Sequence, residues 1–374
     1  MQIGLGLASC ALNLHPMTRF YPLEVTEIRR ETADSVSIRF QAPADAEADF
    51  TFRAGQYLTL EHEIDGEPVR RSYSLCAAPE DGELRVAVKE VPQGRFSTFA
   101  NRTLKVGDVV QGMPPQGRFV LEADGALKRS FVGMAAGSGI TPILSQIRHI
   151  LKSEPQSTFT LFYVNKTSAS IMFKEALQDL KDEFLERFRL FHLLTREPVD
   201  AELFHGRLDA ARCKALIDAG MLEVDTTDGV YLCGPESMIL DCRDVLQGAG
   251  LPSERVHFEL FTTSGAGKAE KSATETEATD GAQQVAIVLD GITTTVELED
   301  NKSILDAALD AGLDAPYSCL GGVCCTCRAK MTSGKADMDI NYALEPSEVE
   351  QGFILTCQSH PKGPGPYVVD FDQQ

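Results

Sequence analysis

Four cysteines near the carboxyl end, Cys319, Cys324, Cys327 and Cys357, follow the spacing C(x4)C(x2)C(x29)C. The first three share a glycine-containing loop from Ser318 to Arg328. A two-iron cluster needs such a donor set, because each iron takes two sulfur ligands from the protein. Gly321 and Gly322 let backbone amides approach the cluster sulfurs. A structural zinc site would also use four thiolates, but zinc modules usually bring paired C(x2)C hooks, and here Cys324 and Cys327 form the single one. Cys325 breaks the spacing and reads as an ordinary thiol. Cys10, Cys76, Cys213, Cys233 and Cys242 also lack metal spacing.

Further upstream, Arg71-Ser72-Tyr73-Ser74 offers a cation for a pyrophosphate, an aromatic face for an isoalloxazine and a hydroxyl for a ring nitrogen. Gly94-Arg95-Phe96-Ser97-Thr98 reads as a turn opening a helix, whose free amides would hold a phosphate. Taken singly, Arg71 reads equally as a solvated strand charge, Tyr73 as a sheet residue and Ser97 as a helix cap. A third signal is the strand ending at Met134, which runs into Ala135-Ala136-Gly137-Ser138-Gly139-Ile140-Thr141-Pro142. Its glycines permit close backbone approach to a pyrophosphate, and Thr141 and Pro142 begin the next helix. The segment departs from GxGxxG, and a tight strand-to-helix turn is the plainer reading. Cys233-Gly234-Pro235 places a second glycine turn at the carboxyl edge of the same sheet, where ligands collect.

These residues need elements to hold them. From Tyr21 to about Ala123, short runs alternate: Val36, Ile38 and Phe40 with Ser37 and Arg39, then Leu84, Val86 and Val88 with Arg85, Ala87 and Lys89. Period two with glycine punctuation predicts a small antiparallel barrel. The period then changes. Apolar runs at Phe131–Met134, Phe159–Tyr163 and Val230–Leu232 are separated by helical segments such as Ile171 to Phe184 and Ser237 to Gln247, which predicts a parallel sheet covered on both faces. Residues 263–284 hold no large apolar side chain and read as a flexible linker. Val285–Leu289, Gly291 and Thr293–Leu298 predict a hairpin, and a helix is expected from about Ser303 to Ala311. The chain thus divides into a disordered extension (1–16), a barrel (17–123), an α/β domain (124–262), the linker and a cysteine-bearing domain (285–374).

The 374 residues carry 35 Lys and Arg against 55 Asp and Glu, a formal charge of -20. That balance argues against a nucleic-acid binder, whose phosphate contacts require basic surface. No apolar run approaches the roughly 20 residues of a membrane-spanning helix. Leu7-Ala8-Ser9-Cys10 faintly suggests a lipoprotein cleavage site, but no Lys or Arg precedes it, so cytoplasmic residence is expected. From Gln284 onward there are 14 acidic and 5 basic residues, an acidic face suited to a partner with a basic docking surface.

Set in this order, RRSYSLC, AAGSGITP, YVNKT followed by IMF, YLCGPESM and the cysteine loop resemble the ferredoxin–NADP reductase superfamily. The likeness is to its three-part members that end in a plant-type [2Fe-2S] ferredoxin, and within them to an epoxidase-serving subgroup of aerobic aromatic degradation. The resemblance implies an FAD-binding β-barrel, an α/β nicotinamide-nucleotide domain with a parallel sheet, and a C-terminal β-grasp α+β domain. It assigns FAD contacts to Arg71, Tyr73, Ser74, Lys89, Gly94 and Ser97, and dinucleotide contacts to Gly137, Ser138, Gly139, Thr141, Cys233, Gly234 and Pro235. Lys166 and Arg196 stand where a 2'-phosphate would be read, favouring NADPH, with NADH possible. Ser74 and Glu259 fall at the flavin edge as the catalytic pair, and Cys319, Cys324, Cys327 and Cys357 are the cluster ligands. Hydride arrives as two electrons and the cluster accepts one, so a flavin must stand between them. The implied partner is an oxygenase, a di-iron epoxidase complex. A Rieske-type or steroid hydroxylase reductase shares every motif, and a redox-sensing binding protein is the reading from another class.

Overall fold

The computed structural model describes residues 19–261, 283–299 and 301–373. The expected extension over 1–16, and the expected linker except Gln283 and Gln284, lie outside the described residues. The first domain holds β1 (Tyr21–Thr32), β2 (Ser35–Gln41), β3 (Tyr57–Ile64), β4 (Glu67–Ser74), β5 (Leu84–Lys89), α1 (Arg95–Arg102) and β6 (Val109–Gly112). These six strands are antiparallel in the order β4-β3-β6-β1-β2-β5. A bridge between Leu75 and Val86 joins the two edges and closes the barrel. Leu23, Ile38, Leu58, Leu60 and Val88, all fully buried, fill it.

Strict alternation predicts that Ser37, Arg85 and Ala87 face water, yet all three are buried. The second domain covers that outer face: Ala87 packs in one cluster with Ile140, Ile143 and Leu144. Arg85 is held by Glu27 and by Glu83 at 2.8 Å, and so stays charged in the seam.

The second domain runs β7 (Ser130–Ala136), α2 (Ile140–Ser153), β8 (Thr158–Asn165), α3 (Lys174–Glu183), β9 (Phe188–Leu194), α4 (Ala210–Asp218), β10 (Gly229–Gly234), α5 (Glu236–Gly248) and β11 (Val256–Leu260). Its five strands are parallel, in the order β11-β10-β7-β8-β9. The near-continuous apolar strands follow from this, since one cluster with α2 and α3 and another with α4 and α5 bury both faces. The helix expected from Ile171 starts at Lys174 instead. Phe173 takes a left-handed φ of 56°, and Ile171, Met172 and Phe173 plug the core.

The third domain comprises β12 (Gln283–Leu289), β13 (Ile292–Leu298), α6 (Ile304–Asp310), β14 (Arg328–Ser333), β15 (Lys335–Met338), α7 (Pro346–Glu350), β16 (Phe353–Leu355), β17 (Ser359–Lys362) and β18 (Tyr367–Asp370). Its mixed sheet has the order β13-β12-β18-β14-β16, with β12 and β18 parallel. The expected hairpin turns at Asp290-Gly291, both at positive φ as a two-residue turn requires. Ser303 caps α6, accepting from the Asp306 amide at 3.1 Å. No described helix is long and apolar enough to cross a membrane.

Candidate functional site

The β3–β4 hairpin sets the first part of the site. Its turn, Asp65-Gly66, has φ values of 56° and 78°, the two-residue geometry that fixes register. Counting back from it, Tyr57 pairs with Ser74, Thr59 with Ser72 and Glu61 with Arg70, which places all six on one outer face. Arg71 and Tyr73 alternate to the other side. There the Tyr73 ring packs 5.4 Å from Phe96 of α1, and the Arg71 guanidinium donates to its neighbour's carbonyl at 2.6 Å. Gly94 precedes α1, and a Cβ there would meet Ser97 Oγ at 2.3 Å. Ser97 Oγ accepts from the Val91 amide at 3.2 Å and donates to the Gly94 carbonyl at 3.2 Å, so it shapes the turn. Lys89 is engaged with Asp34 at 3.2 Å.

Ser74 Oγ donates to Glu259 Oε2 at 3.1 Å, linking the barrel to β11. Burial pushes the Glu259 carboxyl up to about 8, against the hydrogen bond from Ser74. Cys233 pairs with Glu259 across β10 and β11, and burial raises its thiol too. A hydroxyl, a thiol and a protonated carboxyl therefore meet at one seam.

The glycine turns meet beside it. Gly139 approaches β10 so closely that a Cβ would stand 2.1 Å from the Cys233 carbonyl oxygen, and Gly234 lies against Ala136 and Met238. Thr141 Oγ1 donates to the Ser138 carbonyl at 3.0 Å and Tyr163 donates to the Gly137 carbonyl at 3.0 Å, fixing the turn. Gly137, at φ 54°, has nothing within 4 Å of where a Cβ would stand. That open backbone cradle, beside Ser138 and Pro235 at the carboxyl edge of a parallel sheet, fits a dinucleotide pyrophosphate. Lys166 and Arg196 follow adjacent strands and are joined by a backbone bond of 2.9 Å. Both are exposed, and neither has an ion-pair partner among the described residues. Glu197, next to them, is turned away to the Ser168 amide and hydroxyl at 2.7 and 3.0 Å.

The cysteine loop uses left-handed backbone at Leu320, Gly322 and Cys325. The distant fourth cysteine returns because β14 and β16 pair, setting Arg328 opposite Leu355. Gln358 Nε2 then donates to the Leu320 carbonyl at 2.9 Å and Thr356 Oγ1 to the Cys327 carbonyl at 2.9 Å. The thiols stand as two hydrogen-bonded pairs, Cys319 with Cys324 and Cys327 with Cys357. Among the described residues no three Cys, His, Asp or Glu groups converge on a single point, as one zinc ion would need. Two pairs fit two bridged irons instead. The bond from Cys324 lowers the Cys319 thiol to about 6 against burial, helped by the amides of Gly321, Val323 and Cys324. Cys325 turns its thiol away to the Ala343 carbonyl at 3.2 Å.

This loop is seated on the hairpin's outer face, a contact that no motif announced. Tyr57 donates to the Cys324 carbonyl and lies 2.9 Å from Thr326 Oγ1. Ser72 meets Ser318. Arg70 donates to the Tyr317 carbonyl at 3.3 Å with its guanidinium 4.1 Å over the Tyr317 ring. Arg118 pairs with Glu348, and Tyr342 donates to Glu236 of α5 at 2.6 Å. A cavity of about 170 Å³ lies in this seam, lined in part by Tyr57, Glu259 and Cys324. The Asp65-Gly66 turn could have located Tyr57, because register alone sets it opposite Ser74.

Three family models match the chain in succession: an oxidoreductase FAD-binding domain over residues 22–121, an oxidoreductase NAD-binding domain over 134–244 and a 2Fe-2S iron-sulfur cluster binding domain over 287–362. The chain is 41% identical to a subunit of the 1,2-phenylacetyl-CoA epoxidase of Escherichia coli, covering 95% of this chain and 99% of that one. It is 33% identical to the ferredoxin reductase component of 3-ketosteroid-9-alpha-monooxygenase from Mycobacterium tuberculosis, over 91% and 93% of the two chains. Among solved structures, phthalate dioxygenase reductase superposes with a TM-score of 0.57 at 26% identity, covering 94% of this chain and 98% of that one.

Proposed function

This chain belongs to the three-domain oxidoreductases that join FAD-binding, NAD-binding and 2Fe-2S domains as reductase components of multicomponent oxygenases, and from that membership we propose that its oxygenase is a phenylacetyl-CoA epoxidase. One observation carries the choice: identity to the epoxidase component is 41%, against 33% for the steroid system, across nearly whole chains in both cases. The oxygenase is then a di-iron complex in phenylacetate breakdown, and the reductase works in the cytoplasm.

When bound, FAD takes hydride as an electron pair and releases electrons singly, and a [2Fe-2S] cluster carries one at a time. Arg71 supplies charge for the flavin pyrophosphate, and the turn from Gly94 to Ser97 opens the α1 amides toward it. Tyr73 offers its ring face. Ser74 and Glu259 hold a proton between them at the edge where hydride is exchanged, and the raised carboxyl keeps that edge uncharged at neutral pH. Gly137, Ser138, Gly139, Thr141 and the Cys233-Gly234-Pro235 turn bind the dinucleotide. Lys166 and Arg196 face solvent with no carboxylate on either, which supports a 2'-phosphate and hence NADPH. Cys319 with Cys324, and Cys327 with Cys357, each hold one iron.

The test is reconstitution. The purified reductase, loaded with flavin, iron and sulfide, is mixed with the oxygenase components of the epoxidase and phenylacetyl-CoA, or with a Rieske oxygenase and its substrate. NADPH oxidation coupled to epoxide formation is expected; coupling to the Rieske system alone would overturn the assignment.

A further inference from the structure

Tyr57 opens β3 opposite Ser74 and ends on the cysteine loop, so one side chain spans from the flavin motif to the cluster. It is 4% exposed. Its ring lies under Gly117, where a Cβ would come within 2.9 Å of Cδ1, and the backbone at Gly117 has φ +113°. Its hydroxyl donates to the carbonyl of Cys324 and accepts from Thr326, which is itself buried.

We propose that Tyr57 is the positioning residue that seats the cluster loop on the flavin domain and thereby sets the gap that electrons cross. The proposal rests on the reading above, that flavin and cluster occupy these two sites. Other contacts of the seam lie nearer solvent: Arg118 is 47% exposed and Tyr342 41% exposed. Water replaces such groups at small cost. A buried carbonyl and hydroxyl have no such substitute, so the Tyr57 contact discriminates between a seated and an unseated loop. Phenylalanine would keep the ring under Gly117 and remove only the bond.

The experiment uses the full-length protein carrying flavin and cluster, as wild type and as Tyr57→Phe. Hydrogen exchange at the amides from Val323 to Arg328 should rise about tenfold, the population shift expected when a buried acceptor loses its donor. On mixing with NADPH, flavin bleaching should keep its wild-type rate while the reduced-cluster signal appears about tenfold more slowly or worse. The magnetic coupling between the two reduced centres should weaken. Wild-type exchange together with wild-type cluster reduction would overturn the proposal. If Tyr57→Phe loses iron, Thr326→Val removes the other hydroxyl of the contact, and wild-type exchange there overturns it equally. Should wild type itself pass no electrons from flavin to cluster, the functional reading fails instead, and exchange still decides whether Tyr57 seats the loop.

Discussion

Replacing Glu259 with glutamine tests the electrostatics of the seam between barrel and nucleotide sheet. Burial holds this carboxyl at about 8 in the folded protein, whereas an unfolded chain ionises it near 4.5. Below 4.5 both states keep the proton and nothing is lost. Between 4.5 and about 8 the unfolded chain releases a proton that the folded chain retains, so stability falls as pH rises; above 8 the loss is complete. Each pH unit is worth about 1.4 kcal/mol, and the whole interval on the order of 3–5 kcal/mol. Glutamine cannot ionise and escapes this decline. Calorimetric melting of both proteins at pH 5, 6, 7 and 8 should show them close at pH 5 and the Glu259→Gln variant gaining about 10 °C on wild type by pH 8. A gap that stays constant across this range would mean that Glu259 titrates as an ordinary exposed carboxylate and that the seam is wet.

Gly139→Ala puts a methyl 2.1 Å from the Cys233 carbonyl oxygen, so the two nucleotide turns must separate; NADP⁺ affinity measured by flavin difference spectra should fall at least about tenfold, while Gly137→Ala, which meets nothing within 4 Å, should lose less. Replacing Lys166 and Arg196 with alanine should weaken NADPH about 10- to 100-fold in kcat/KM and leave NADH nearly unchanged; equal losses for both nucleotides would reject the 2'-phosphate assignment. Cys357→Ser should lower iron and sulfide per flavin while NADPH still bleaches the flavin. Retention of two irons per flavin by that variant, measured by metal analysis, would remove Cys357 from the ligand set.

Features built from neighbouring residues were legible in the sequence. The cysteine loop, the turn from Gly137 to Thr141, the hairpin at Asp290-Gly291 and the capped helix at Ser303 each carry their own geometry in a few consecutive residue types. Alternation likewise located β2 and β5, but it assigned Ser37, Arg85 and Ala87 to solvent. A strand's period records only that two faces differ; it is silent on whether a second domain will cover the polar one. The start of α3 was misjudged for a related reason, because Ile171, Met172 and Phe173 continue a helical pattern while the core takes them as a plug. Contacts between domains were the least legible. Arg70, Arg118, Tyr317 and Tyr342 are ordinary surface types in sequence, and only their tertiary partners distinguish them.

The shared face of the β3–β4 hairpin ties two tasks to one count of residues. Ser74, which reaches Glu259, and Tyr57, which reaches the cysteine loop, point the same way because Asp65 and Gly66 turn the chain in two residues. Deleting one residue near that bend would swap inside for outside along the ribbon, bringing Leu58 and Tyr73 to the front and sending Tyr57 and Ser74 into the barrel. Inlet and outlet of the current are thus geared together, and drift in this loop would disable both at once or neither.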